Sequence, residues 1–142
     1  MPRSRTQPEP PEFFVDRSLG SHLLPDALRQ AGFIVHTLAS VYGEQEAQRV
    51  SDKDWIERAG QMDWVVLTKD DAIRRRPAEI AAVEANGVRM FCLTNARMTG
   101  DQQRQRFATN LNRIVQRARK PGPWICGVYD GRVTQIWPSA RS

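Results

Sequence analysis

Two short apolar runs in this chain stop on carboxylates. Phe13-Phe14-Val15 ends at Asp16, and Trp64-Val65-Val66-Leu67 runs through Thr68-Lys69 into Asp70-Asp71. Short runs without polar alternation predict strands buried on both faces, as in a parallel sheet. Residues 33–38 and 88–93 predict two more strands, the second ending at Thr94-Asn95. Between these runs the hydrophobic period changes to three and four. Leu23, Leu24, Ala27, Leu28 and Ala31 predict a helix over 21–31, with Pro25 in its first turn and Gly32 as its stop. Trp55, Ile56, Ala59 and Met62 mark the face of a helix that begins after Ser51, where Ser51 and Asp54 have the form of a capping box. Pro77 suits the first position of another helix, closed by Asn86-Gly87. Thr99-x-x-Gln102 is a capping box for the longest helix, 99–119, whose core stripe is Phe107, Leu111, Ile114 and Ala118. Residues 39–50 read as a loop with one polar helical turn.

At the end, Trp124–Tyr129 and Arg132–Trp137 form a hairpin around Asp130-Gly131, a pair suited to a type I′ turn. Strand and helix alternate four times before that hairpin. The order predicts a three-layer α/β domain over 13–138, with a central mainly parallel sheet and a C-terminal β-hairpin at 124–137. Residues 1–12 hold four prolines and no apolar residue beyond Met1, which predicts a flexible N-terminal tail.

Composition adds less. The 142 residues fit one domain, and the formal charge of +5 favours polyanionic partners. Cys92 and Cys126 lie inside apolar runs and read as small buried hydrophobes. No apolar run approaches the roughly 20 residues that span a bilayer. The N-terminus has no apolar segment of the secretory kind, so the cytoplasm is the expected compartment and no membrane partner is expected. His22 and His36 are too sparse for a metal site.

The carboxylates carry the candidate chemistry. Asp16, at a strand end, reads either as a helix cap or as a ligand for a hard cation. Asp70 and Asp71 repel one another, a cost that a cation offsets, although one of them, Asp71 first, can instead cap a turn over 72–74. Asp52 stands first in a helix, where the helix dipole stabilises it whatever else it does. Arg17 and Lys69 each flank one of these acids and read either as phosphate contacts or as solvated side chains. Arg74-Arg75-Arg76 is a candidate track for an RNA backbone, with a solvated helix face as the plainer use.

The segments Phe14-Val15-Asp16-Arg17-Ser18-Leu19-Gly20, Ser51-Asp52-x-x-Trp55-Ile56 and Val65-Val66-Leu67-Thr68-Lys69-Asp70-Asp71 together resemble the PIN-like domains, most closely the VapC-type toxins. The resemblance runs from about residue 13 to 94, and more loosely to 137. It implies a Mg²⁺- or Mn²⁺-dependent ribonuclease, the toxin of a toxin–antitoxin pair, with RNA as substrate, an antitoxin protein as partner and self-association as a further option. Carried over by position, Asp16, Asp52 and Asp70 are the catalytic acids and metal ligands, with Asp71 auxiliary. Where the family has a fourth acid this chain has Thr94-Asn95, and Asn95 offers a neutral oxygen in its place. That departure keeps open an alternative, a PIN-like module that binds RNA or protein without cleaving. A receiver-like signalling domain fits poorly, because Arg17 follows Asp16 where a second acid is needed and 124–129 has no lysine.

Overall fold

The structure is a computed structural model that describes residues 9–20, 22–94 and 97–139. Six strands form one sheet: β1 (Phe13–Val15), β2 (Val35–Thr37), β3 (Val65–Thr68), β4 (Arg89–Leu93), β5 (Trp124–Tyr129) and β6 (Arg132–Trp137). Their order is β2-β1-β3-β4-β5-β6, parallel throughout except for the antiparallel β5–β6 pair. From β1 the chain moves outward to β2, then crosses back to place β3 on the other side of β1. The direction of winding therefore reverses between β1 and β3, the place where open α/β sheets bind ligands beyond their carboxyl ends.

Successive residues of each strand face opposite layers. Phe13, Val15, Val65 and Leu67 pack against α1 (Leu23–Gln30), whose Leu24 and Leu28 share that core. The opposite face carries Phe14, Val66, Met90 and Cys92. It is covered by α2 (Leu38–Tyr42), α4 (Asp52–Gln61) and α5 (Pro77–Ala85), with the short α3 (Glu44–Ala47) between α2 and α4. The helices α6 (Gly100–Thr109) and α7 (Leu111–Arg117) return to the α1 side through Phe107 and Ile114.

Phe14 is held between two indoles, Trp55 at 5.2 Å and Trp64 at 5.9 Å between ring centroids. His36 stacks on Trp64 at 4.0 Å and hydrogen-bonds Glu12 at 2.9 Å, so it is the satisfied imidazole that its isolation predicts. Burying one such side chain contributes about 1.5–3 kcal/mol. An exposed ion pair contributes about 0–1 kcal/mol. The aromatic stack, not the surface charge, therefore sets where α4 and its Asp52 lie.

Several details differ from expectation. The long helix over 99–119 is divided at Asn110, which is fully buried and donates from Nδ2 to the carbonyls of Arg106 (2.9 Å) and Tyr129 (2.8 Å). Those bonds draw the side chain and backbone toward β5 and interrupt the helical ladder. The segment read as a loop over 39–50 holds two short helices, α2 and α3, separated by Gly43 (φ 86°), and the first is capped by Thr37 and Ser40 in a reciprocal box. Ser51 accepts from the Asp54 amide at 3.1 Å, half of the box its spacing predicts. At the hairpin, Gly131 takes φ 73° while Asp130 is not left-handed, the sign pattern of a type II rather than a type I′ turn. The carbonyl of Glu12, in the segment read as a tail, accepts from the Val65 amide at 2.8 Å, one backbone bond ahead of β1.

One glycine governs how closely α4 and α5 approach. A Cβ at Gly60 would lie 2.5 Å from the Asn86 Cβ and 2.6 Å from the Asn86 carbonyl oxygen, with no flexible atom to yield. Gly60→Ala is expected to destabilise the fold by about 1–3 kcal/mol. A urea titration should show a lower midpoint with unchanged slope. An unchanged midpoint would mean that this contact is not a constraint.

Candidate active site

Asp16 extends β1 by one ladder bond, its amide donating to the Leu67 carbonyl at 3.0 Å. That bond fixes its side chain at the sheet edge, where it is 3% exposed. Its Oδ2 accepts from the Ser18 and Thr68 hydroxyls, each at 2.8 Å. Its Oδ1 is buried and has no hydrogen-bond partner. Burial pushes the carboxyl above its ordinary range and the charge of Asp52 adds to that, against the opposing hydroxyls and the Arg17 amide. A buried oxygen with no donor is the position a cation satisfies best.

The same hydroxyls reach the neighbouring strand. Thr68 Oγ1 accepts from the Asp70 amide at 3.0 Å, and Ser18 Oγ accepts from the Lys69 amide at 2.9 Å. Asp70 is thereby held beside Asp16. Its Oδ1 accepts from the Ala72 amide at 3.1 Å and caps the 3₁₀ turn Asp71–Arg75. Asp70, not Asp71, is therefore the capping acid, because Asp70 occupies the last non-helical position before that turn. The Asp70 Oδ2 faces Arg76 Nη1 at 2.7 Å. Asp71 pairs instead with Arg74 at 4.0 Å.

Asp52 arrives from the second layer as the first residue of α4. Its Oδ1 accepts from the Trp55 indole N–H at 2.9 Å, and its Oδ2 lies 3.6 Å from the same Arg76 nitrogen. Glu79 Oε1 completes the group at 3.0 Å from Arg76. The hydrogen bonds that Arg76 donates to Glu79 and Asp70 raise its guanidinium above the ordinary range.

Asp16, Asp52 and Asp70 thus each commit one oxygen to a hydrogen bond from the scaffold; the other is unpartnered in Asp16 and faces Arg76 in Asp52 and Asp70. Hard oxygen donors with an orphaned buried member suit a hard divalent cation. Among the described residues, no three His, Cys, Asp or Glu side chains converge closely enough to hold a metal as they stand. The outer oxygens of Asp52 and Asp70 converge on Arg76.

The other predicted positions divide. Arg17 is exposed at the rim, and its Nη2 donates to the Val50 carbonyl at 2.8 Å. Lys69 is half-buried and Arg75 exposed, while Arg76, predicted to face an RNA backbone, is turned into the acidic cluster. Asn95 lies outside the described residues. Cys92 lies near Asp70, Asp71 and Asp16, and burial together with those charges pushes its thiol up to about 12, so it is a packing residue and not a nucleophile. Among the described residues no helix is long and apolar enough to cross a membrane.

Sequence reasoning missed Ser18, Thr68 and Glu79. Weak signals existed for each: hydroxyls two residues after Asp16 and two before Asp70, and a carboxylate three residues after Arg76 in a helical first turn.

Residues 11–95 match the family described as "PIN like domain". Over 123 residues the chain is 39% identical to a protein of Mycobacterium tuberculosis named "Putative ribonuclease VapC45", covering 87% of this chain and 89% of that protein. No solved structure matches the chain.

The raised Asp16 carboxyl sets a pH dependence in metal-free protein. A carboxyl whose folded-state pKa exceeds its unfolded value contributes stability that is full below the unfolded value. That contribution is lost as pH rises through the folded value. Asp16→Asn, which keeps an acceptor for Ser18 and Thr68 without the charge, should melt above wild type at pH 7–8 in EDTA. The difference should shrink as pH falls through the raised value. Melting curves of both proteins from pH 3 to 8 check this, and a gap independent of pH would count against it.

Proposed function

The chain belongs to the PIN-like domain family, and from that premise we propose that it is a metal-dependent endoribonuclease acting as the toxin of a toxin–antitoxin pair. The observation that carries the reading is the set of three carboxylates, Asp16, Asp52 and Asp70, drawn from two strand ends and a helix start, each with one oxygen held by the scaffold and the other unpartnered or facing only Arg76. The name of the mycobacterial relative supports the ribonuclease assignment.

In this reading Asp16, Asp52 and Asp70 would hold Mg²⁺ or Mn²⁺, with Asp71 as an auxiliary ligand. Such a cation lowers the pKa of a water and neutralises charge developing on the phosphate. The chain's own residues do the positioning. Ser18 and Thr68 orient the Asp16 carboxylate so that only its Oδ1 is available. The Ala72 amide and the Trp55 indole likewise orient Asp70 and Asp52. Arg17, Lys69, Arg74 and Arg75, around the same edge, supply phosphate contacts, in keeping with the net charge of +5. An antitoxin protein would cover this edge in the cytoplasm.

Mg²⁺-dependent cleavage of RNA by the purified chain tests the reading. Asp16→Asn and Asp70→Asn should each lower cleavage by more than the roughly 10–100-fold that loss of an outer-shell partner costs. Either variant cleaving as well as wild type would remove that residue from the site. RNA binding that persists in EDTA, with no metal-dependent product, would favour the non-cleaving module instead.

A further inference from the structure

Arg76 stands where the acidic cluster needs positive charge. Its Nη1 lies 2.7 Å from Asp70 Oδ2, 3.6 Å from Asp52 Oδ2 and 3.0 Å from Glu79 Oε1. The first two of these oxygens are the ones that the Ala72 amide and the Trp55 indole leave open. The oxygens available to a cation and the oxygens engaged by Arg76 are therefore the same atoms. Asp16 Oδ1, buried in the same region, remains without a partner.

We propose that Arg76 is a built-in counter-ion of the metal-free site, displaced from Asp52 and Asp70 when a divalent cation binds and retained by Glu79. The inference rests on reading Asp16, Asp52 and Asp70 as the cation's ligands. Two positive groups on one carboxylate oxygen repel, so each state excludes the other to the extent of that repulsion. Linkage makes the effect reciprocal: whatever the contacts of Arg76 with Asp52 and Asp70 add to the metal-free fold they subtract from metal affinity. Glu79 gives the displaced guanidinium somewhere to remain. It sits in the first turn of α5, three residues from Arg76, and its side chain is only 14% exposed. Held there, the guanidinium stays at the rim of the site, where the phosphate of an RNA strand would meet it.

Calorimetric titration of MnCl₂ into the EDTA-stripped full chain tests this without reference to cleavage. Arg76→Met should bind Mn²⁺ about tenfold tighter than wild type, the size of one charge-assisted hydrogen bond. Its metal-free melting temperature should fall. Glu79→Gln should weaken binding in the wild-type background and leave it unchanged in Arg76→Met, a coupling that a metal-ligating Glu79 would not show. Should Arg76→Met fail to fold, the side-chain Nε–H resonance of Arg76 in wild type decides the matter, and it is expected to move as Mg²⁺ is added. Equal or weaker Mn²⁺ binding by Arg76→Met, or an Arg76 resonance that stays fixed while the site saturates, overturns the proposal and leaves the metal site intact. Binding by neither protein overturns both.

Discussion

A single hydroxyl group joins the two strand ends on which the site is built. Thr68 Oγ1 donates to Asp16 on β1 and accepts from the Asp70 amide just beyond β3. Thr68 is fully buried, so neither bond competes with water, and a buried donor left unmade would cost about 1–3 kcal/mol. The reversal of winding between β1 and β3 brings these ends side by side, and Thr68 fixes how they meet. Ser18 repeats the arrangement from the 3₁₀ turn that follows β1, donating to Asp16 and accepting from the Lys69 amide. Asp16 and Asp70 are consequently oriented before any ligand arrives.

For an isolated carboxylate capping and ligation are alternatives, and this orientation makes the two compatible. A carboxylate has two oxygens, and here the two can serve different ends. Asp70 caps a turn with Oδ1, and Asp52 takes an indole hydrogen bond on its Oδ1 within the first turn of α4. Neither structural role consumes the remaining oxygen. Fixing one oxygen to the scaffold restricts where the other can point, which is how a ligand set is kept rigid at an otherwise solvent-accessible edge.

The same economy explains why so acidic an edge is compatible with a chain of net charge +5. Asp52, Asp70 and Glu79 share Arg76, and Asp71 is paired with Arg74. Repulsion among the acids is offset locally. The excess positive charge includes the exposed Arg17 and Arg75 at the rim of that edge.

The sequence by itself determined the elements, because hydrophobic period, caps and breakers act over a few residues. The strands at 13–15 and 65–68, the Pro77 helix start and the hairpin all follow from such local patterns, and Asp16 and Asp70 were visible as the acids on which apolar runs end. The PIN-like resemblance likewise rested on short segments in order, and the match over residues 11–95 bears it out. What only the tertiary structure decided depends on groups distant in sequence. Thr68 is 52 residues from Asp16, and Arg76 is 24 from Asp52, so no periodicity links them. The break at Asn110 has the same origin, a hydrogen bond to Tyr129 that a helical pattern cannot contain. The inward turn of Arg76 is the clearest case: three consecutive arginines look alike in sequence, and only the position of the acids around the third distinguishes it.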